Sequence, residues 1–564
     1  MKRTLALILG LIMVFSAMAF AENAYPIPEG FVYPDYHDYS SWPIVEDGSV
    51  TIKVARCYIA DYGIDADNTW FWTFNKLASG LNFEIEDISS AAATERKTLL
   101  FAGNELPDMF YNMGIGTSDV ARYGVSEGQL LPLNDYITPE IMPNFYELIQ
   151  KYPEILSDIT ASDGKVYALP MVSGLKLANG ISSELFFINK EVMEEVGYDF
   201  PQTLDELTDM LYAMKEQYPE SYPFGGAANT MADPRTYILN ALGFLTVESN
   251  YAGNMVAVKN GEAVIPAYED DFVEYLTILN QYYNDGIMPT DFFTMDLTAA
   301  NALVAEGKTF TFSYWPNVAV PVVEEFQKWY SGYPLTSEWN DTKQWPSISK
   351  VSIGGLALSA KTQYAEEIMR WADFYFSALG GVYEWGGPLM GSEDTLGMIS
   401  GCYPNADGSI TYHLPGDGYE NNYAYFCGLF GGSTAFGNRS HAVELEDEGC
   451  GTPQQFIAWE LTGKIDPFVW DLNNGDNFAR STMDNTIKLY ETVGFPRITY
   501  FDEETEDTIA DLRSVLDSYI DTEVAKFITG KRDISEFDAF RAELKNLGIE
   551  ELEAIYSDYY ENVK

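Results

Sequence analysis

Apolar and polar side chains alternate with period two from Ser49, where Val50, Ile52 and Val54 share one face and Cys57 to Ile59 close the run. This predicts a first strand over Ser49 to Ala60. The aromatic-rich stretch from Asn68 to Ala78 predicts a helix, and Leu81, Phe83, Ile85 and Ile88 mark a second strand. A helix follows from Ala91 to Ala102, stopped by Gly103, and Asp108 to Tyr111 reads as a third strand. Strand, helix, strand, helix, strand is the opening of a parallel sheet in an α/β fold. Farther on, the turn Asp163-Gly164 feeds a short strand, Val166 to Leu169, that Pro170 is expected to stop. Leu185 to Ile188 makes another strand; Asn189 ends it, and Lys190 to Val196 forms a helix closed by Gly197. Thr203 is placed as the N-cap of the next helix, with Glu206 at the capping-box position. Near the end, Ile509, Leu512, Leu516, Tyr519 and Ile520 form one helical stripe that stops near Gly530. Asp533 and Glu536 are read as the capping box of a following helix, which Gly548 ends.

Residues 1 to 21 carry a basic start at Lys2 and Arg3, an apolar core from Leu5 to Val14, and the small-x-small end Ala19-Phe20-Ala21. That is the pattern of a cleavable export signal, cut before Glu22. Residues 22 to 48, rich in Pro, Tyr and acidic groups, read as an irregular leader. No later segment is uniformly apolar for the ~20 residues that a membrane span needs. The expected product is an exported, extracytoplasmic chain, and its 564 residues exceed what one core organises, so at least two lobes are expected.

Charge narrows the partners. The chain holds 33 Lys and Arg against 85 Asp and Glu, a formal net charge of −52, and losing Lys2 and Arg3 with the signal takes it to −54. Such a surface repels nucleic acid and anionic lipid, which leaves neutral or cationic ligands. Cys57, Cys402, Cys427 and Cys450 lie far apart with no CxxC pair, so one or two disulfides after export and buried free thiols both stay open. Metal-ligand spacing is absent, and neither a metal nor a cofactor is expected.

Two stretches, DGKVYALP at 163 to 170 and FFINKEVMEEVGYDFPQTLDEL at 186 to 207, together resemble the extracellular solute-binding proteins of bacterial ABC importers. The family pattern runs DGKxYxxP, YNKxxxxxxG and PxTWxEL; Ile188 stands for the usual Tyr and Leu204 for the usual Trp. FAGNELPDMFYN at 101 to 112, AEGKTFTFSYW at 305 to 315 and GGLALSAKTQYAEEIMRWADFYFS at 354 to 377 are similar to further family segments in the same order. The stretch from Phe495 onward resembles the C-terminal helices of the long oligosaccharide-type subgroup. The resemblance implies a two-lobed, periplasmic-binding-protein-like α/β fold of type II, with a hinge and an interlobe cleft. It places 49–183 and 351–450 in the first lobe and 184–350 and 451–564 in the second. It implies a monomer that carries a carbohydrate, expected to be an oligosaccharide, to the permease subunits of an ABC transporter. Many members are lipidated at a cysteine directly after the signal, and this chain has none there.

Candidate contacts follow from sugar chemistry: flat aromatic faces for the apolar side of a pyranose and planar polar groups for its hydroxyls. Eleven Trp and 39 Tyr supply rings in excess, so position decides. Ligands in open α/β sheets sit beyond the carboxyl ends of strands. Asp67, Asn68 and Trp70 follow the first strand, and Tyr111 and Asn112 follow the third. Asp233, Arg235 and Tyr237 open a helix in the second lobe, where capping is the competing reading for the polar pair. Tyr314 and Trp315 follow the EGKTFTF strand, while Trp385 and Trp470 sit in loop-like contexts. Acidic loops at 65–67 and 471–476 lack EF-hand spacing for calcium. Two other readings remain: a binding protein for a cationic solute such as a polyamine, and a secreted glycoside-active enzyme. Among 85 acidic residues, however, carboxylate pairs single nothing out, and His37, His413 and His441 sit in no recognisable catalytic setting.

Overall fold

A mixed six-stranded sheet organises the first lobe. The computed structural model describes residues 33, 35–58, 66, 69–172, 185–246, 250–347, 351–389, 392–396, 401–404, 410–413, 437–438, 472–473 and 475–563. The sheet is built from β1 (Thr51–Tyr58), β2 (Asn82–Ser89), β3 (Met109–Tyr111), β4 (Ala168–Val172), β5 (Val351–Leu358) and β6 (Gly437–Asn438), in the order β6-β4-β5-β3-β1-β2. As the opening pattern predicts, β1 is parallel to both β2 and β3. The helices between them span Trp70–Ser79 and Ala93–Gly103. Gly103 lies inside its helix rather than stopping it; the left-handed residue that ends the helix is Asn104, at φ 53°.

The sheet is not parallel throughout, because β5 runs against both β3 and β4. Pro170, expected to stop its strand, lies inside β4, which continues to Val172. The reason lies in the partner. Met171 pairs with Ser352 and Leu169 with Leu356, so β5 bulges by Ile353, Gly354 and Gly355 opposite the one proline. A residue without an N–H can sit in a ladder where the ladder is already interrupted. Gly354 adopts φ 87°, and a Cβ there would fall 2.3 Å from the Ile115 carbonyl, so the bulge requires glycine.

Direction now fixes position. Because β5 opposes β3 and β4 opposes β5, the end of β4 at Val172 and the start of β5 at Val351 share the edge on which β1 and β3 finish. Ser347 belongs to a strand pair with Glu491–Val493 and lies four residues before Val351, at most about 15 Å away. The second lobe therefore abuts the carboxyl edge of the first lobe's sheet.

The second lobe has its own core, drawn from residues 185–345 and 479–556. Trp329–Ser331, Phe187–Asn189 and Thr311–Phe312 form an antiparallel sheet, and Leu245–Thr246, Ala257–Lys259 and Glu262–Val264 another. Around them pack helices Leu204–Gln217, Phe272–Asn284, Glu503–Ile528, Phe537–Asn546 and Ile549–Val563. The expected capping box is present: the Thr203 hydroxyl accepts from the Glu206 N–H at 3.2 Å, and the Glu206 carboxylate accepts from the Thr203 N–H. Such a cap contributes about 1 kcal/mol. Ile509, Leu516 and Ile520 are buried along the long helix, as their spacing requires. Asp533 differs from expectation: it caps the short turn Ile534–Glu536 by accepting from the Ser535 N–H at 2.9 Å, and Glu536 makes no capping bond.

The part of the leader that the structure describes is irregular apart from the turn Tyr36–Asp38, yet it packs on the first lobe's core. Trp42 is 4% exposed, its ring 4.8 Å from Phe374, and Tyr36, Tyr39, Ile44 and Val45 cover the same core. Of the cysteines, Cys57 is a buried free thiol; Cys427 and Cys450 lie outside the described residues.

Among the carboxyls that burial shifts upward, Asp373 and Glu506 stand well above their ordinary values. Burial pushes Asp373 up to about 6, against hydrogen bonds from the N–H groups of Asn144 and Phe145 that pull it down. Burial likewise pushes Glu506 up to about 6, opposed by a bond from the Phe501 N–H and assisted by Asp502 and Asp507. Both ordinary values are lower, 3.8 and 4.5. The folded chain thus binds these protons more tightly than the unfolded chain does. Each group's contribution is complete below its ordinary value and is lost as pH rises through about 6. Glu506→Gln, which cannot ionise, is expected to flatten the fall in unfolding free energy between pH 5 and 7, measured by urea titration. Equal slopes for the variant and the parent would refute this assignment.

Candidate ligand-binding site

Thr69 caps the helix that follows β1, accepting from the Trp72 N–H. The preceding Asp67 and Asn68 lie outside the described residues. Trp70, next to the cap, is 2% exposed; its ring stacks on Phe74 at 4.9 Å and 13°, and its Nε1 donates to the Asp394 carbonyl at 2.8 Å. The indole is thus used in packing the first lobe. Tyr111 is fully buried, 5.1 Å from Trp72 and 6.0 Å from Phe71. Strand alternation explains this: Met109 and Tyr111 share the face carrying the aromatic core, while Phe110 enters the core on the other face. Asn112, one residue on, is half-buried at the carboxyl edge with φ 55°, and its N–H donates to the Gly355 carbonyl of the β5 bulge at 2.8 Å.

In the second lobe, Asp233 and Arg235 form an ion pair at 2.7 Å, with the two residues 1% and 2% exposed. Asp233 also accepts from the Arg235 N–H at 3.1 Å, while the helix's N-cap position is held by Pro234, which makes no side-chain cap bond. The guanidinium donates to the Asn229 side chain at 3.2 Å and lies 5.4 and 5.3 Å from the ring centres of Phe292 and Phe293. Burial alone would lower its pKa; Asp233, Tyr275 and Asp521 overcome this and hold it above the usual range. Tyr237 stacks on Phe186 at 3.8 Å, and its hydroxyl donates to the Tyr333 carbonyl. All three side chains belong to the packed interior.

Tyr314 and Trp315 are placed differently. Both are half-buried, at the end of the strand Thr311–Phe312 and the start of a short helix, Pro316–Ala319. The Arg480 guanidinium, from the helix Gly475–Met483, lies 4.9 Å from the Trp315 ring centre. Close helix contact makes the pairing possible: a Cβ on Gly475 would fall 2.2 Å from the Asn317 Cβ. A ring with a cation on it and part of its surface open offers stacking and hydrogen-bond donors together. Sequence reasoning missed Arg480, which stands 165 positions from Trp315 with no local signal linking them. Of the remaining candidates, Trp385 falls in the helix Ala378–Gly386 and Trp470 lies outside the described residues.

This architecture, two α/β lobes meeting at the carboxyl edge of one sheet, has known counterparts. The family of bacterial extracellular solute-binding proteins matches residues 59–380. The chain belongs to that family. Its place is therefore outside the cytoplasm, and among the described residues no helix is long and apolar enough to cross a membrane. This solute-binding protein is 22% identical over 487 residues to the fructooligosaccharide ABC transporter substrate-binding protein FusA of Streptococcus pneumoniae, covering 83% of this chain and 82% of that one. It is 22% identical over 234 residues to lipoprotein LipO of Bacillus subtilis, covering 41% and 43%. The fold is that of FusA in complex with kestose, at a TM-score of 0.70, 19% identity and coverage of 91% and 99%. It is also that of a solute-binding protein described as HMO-binding from Bifidobacterium longum infantis, at 0.71, 17% and coverage of 91% and 99%.

The buried pair yields a clear expectation. Asp233→Asn leaves Arg235 charged without its counter-ion in the interior, so unfolding free energy from urea titration should fall by about 3–5 kcal/mol. A loss below about 1 kcal/mol would show that the pair is dispensable to the second lobe.

Proposed function

We propose that this protein captures a neutral oligosaccharide between its two lobes and presents it to the permease of an ABC importer, breaking no bond. The observation that carries the reading is the likeness to FusA along 83% of this chain and 82% of that protein. The half-open Trp315 platform beside Arg480 supports it. Asn112 at the first lobe's carboxyl edge and Tyr314 are the other side chains proposed to meet the sugar, while Trp70, Tyr111, Asp233, Arg235 and Tyr237 act behind the surface. Asp67, Asn68, Trp385 and Trp470 keep their proposed place as ligand contacts.

The mechanism is closure about the segments that join the lobes. A sugar touching both lobes stabilises the closed state by its differential affinity for that state, and the permease reads the closed shape. The acidic surface disfavours anionic sugars. A micromolar site needs about −8 kcal/mol, within reach of a few stacked rings and several hydrogen bonds in a water-poor cleft.

Calorimetric titration with kestose, longer fructans, maltotriose and spermidine tests this reading. A neutral oligosaccharide is expected to bind in the micromolar range. Trp315→Ala should weaken it about tenfold to a hundredfold, as expected from losing about 1.5–3 kcal/mol of aromatic burial. Spermidine binding without any sugar response would replace the ligand class. Release of shorter sugars from the panel, abolished by changing one carboxylate, would replace the transport role with a glycoside-cleaving one.

A further inference from the structure

The second lobe carries another concavity. A cavity of about 630 Å³ lies between the loop 337–344, the hairpin of strands Ala257–Lys259 and Glu262–Val264, and the C-terminal helix Ile549–Val563. Its size falls within the range of small-molecule sites, about 300–1,000 Å³. Every described residue that lines it belongs to segments packed on the second lobe's core or paired with its strands.

The wall is rigid. The Ser337 N–H donates to the Asn340 carbonyl at 2.7 Å, the Ser337 hydroxyl to the Ala241 carbonyl at 2.8 Å, and the Asn340 side chain bonds both the N–H and the carbonyl of Thr342. A Cβ on Gly243 would come 3.2 Å from the Asn340 Cβ, so the loop is seated directly on that backbone. A site with so much of its geometry fixed loses little conformational entropy on binding.

The lining has the chemistry of carbohydrate recognition. Trp339 is half-buried against the core and, with Tyr560, supplies flat apolar surface. Exposed carboxylates of Glu338 and Asp341 and the amide of Gln344 supply planar polar groups for hydroxyls. Among the described lining residues the one cation is Lys259, and Asp271 neutralises it in an ion pair. Among the described lining residues, an anionic ligand would meet two carboxylates and no free counter-charge.

We propose that this cavity is a second carbohydrate site, for a neutral mono- to trisaccharide, separate from the interlobe site. Its occupant touches one lobe alone and so has no differential affinity for open and closed states; binding here leaves closure unaffected. The site's role is to hold sugar near the protein without signalling to the permease.

Full-length protein carrying Trp315→Ala, which weakens the interlobe site, is titrated with kestose and with maltotriose and read by saturation-transfer NMR. Beside the weakened interlobe component, a second saturable component in the millimolar range is expected. Adding Trp339→Ala or, where that change costs folding because Trp339 packs on the core, Asp341→Asn should weaken it at least tenfold. In the parent chain the same two changes should leave micromolar binding intact. Absence of any millimolar component in the Trp315→Ala chain, or a component unaltered by both added changes, would overturn the second site. A wild-type chain lacking micromolar binding but keeping the Trp339-dependent signal would instead fault the interlobe reading alone.

Discussion

Strand β5 enters the first lobe's sheet between β3 and β4 and runs against both, and this single reversal decides where the second lobe stands. Had β5 run parallel to β3, the chain would have returned at the opposite edge, and the second lobe could not have abutted the ends of β1 and β3. Opposite Pro170 the same strand bulges at Ile353 to Gly355, where the proline's missing N–H leaves no ladder bond unmade. The same bulge hands its Gly355 carbonyl to the Asn112 N–H, so the element that sets lobe placement also fixes the backbone at the cleft edge.

Much of this fold was legible in the chain because its signals are local. The alternation in β1 and β2, the Thr203 and Glu206 cap, the Asp163-Gly164 turn and the stripe along Glu503–Ile528 each depend on neighbours within a few residues. Pro170 was misread for the opposite reason. Its cost is cancelled by a bulge 183 to 185 positions away, and no property of the residues around it announces that partner. The left-handed cap at Asn104 was missed because Gly103 beside it is the commoner choice for that conformation.

The site was less legible, since facing a cleft is a property of tertiary packing rather than of spacing. Strand alternation already set Tyr111 against Asn112, and it turned the tyrosine inward onto Phe71 and Trp72. Trp70 begins a helix at the right edge, yet the sequence does not show that residues around 394 fold over it and accept its N–H. Trp315 differs because the next residue, Pro316, starts a short helix and leaves the indole at the turn, without a regular core stripe to absorb it.

The charge imbalance has a further consequence. With 33 cationic side chains against 85 acidic ones, cations are scarce, and several are fixed in internal pairs. Arg56 holds Asp87 at 2.7 Å, Arg235 holds Asp233 at the same distance, and Arg532 joins Glu523 and Glu543. Each is mostly or wholly buried, so it serves folding rather than ligand capture. A cleft on such a chain recognises its ligand chiefly through rings, amides and carboxylates. That set suits the hydroxyls and apolar faces of a sugar, and the Arg480 guanidinium beside Trp315 adds hydrogen-bond donors to it.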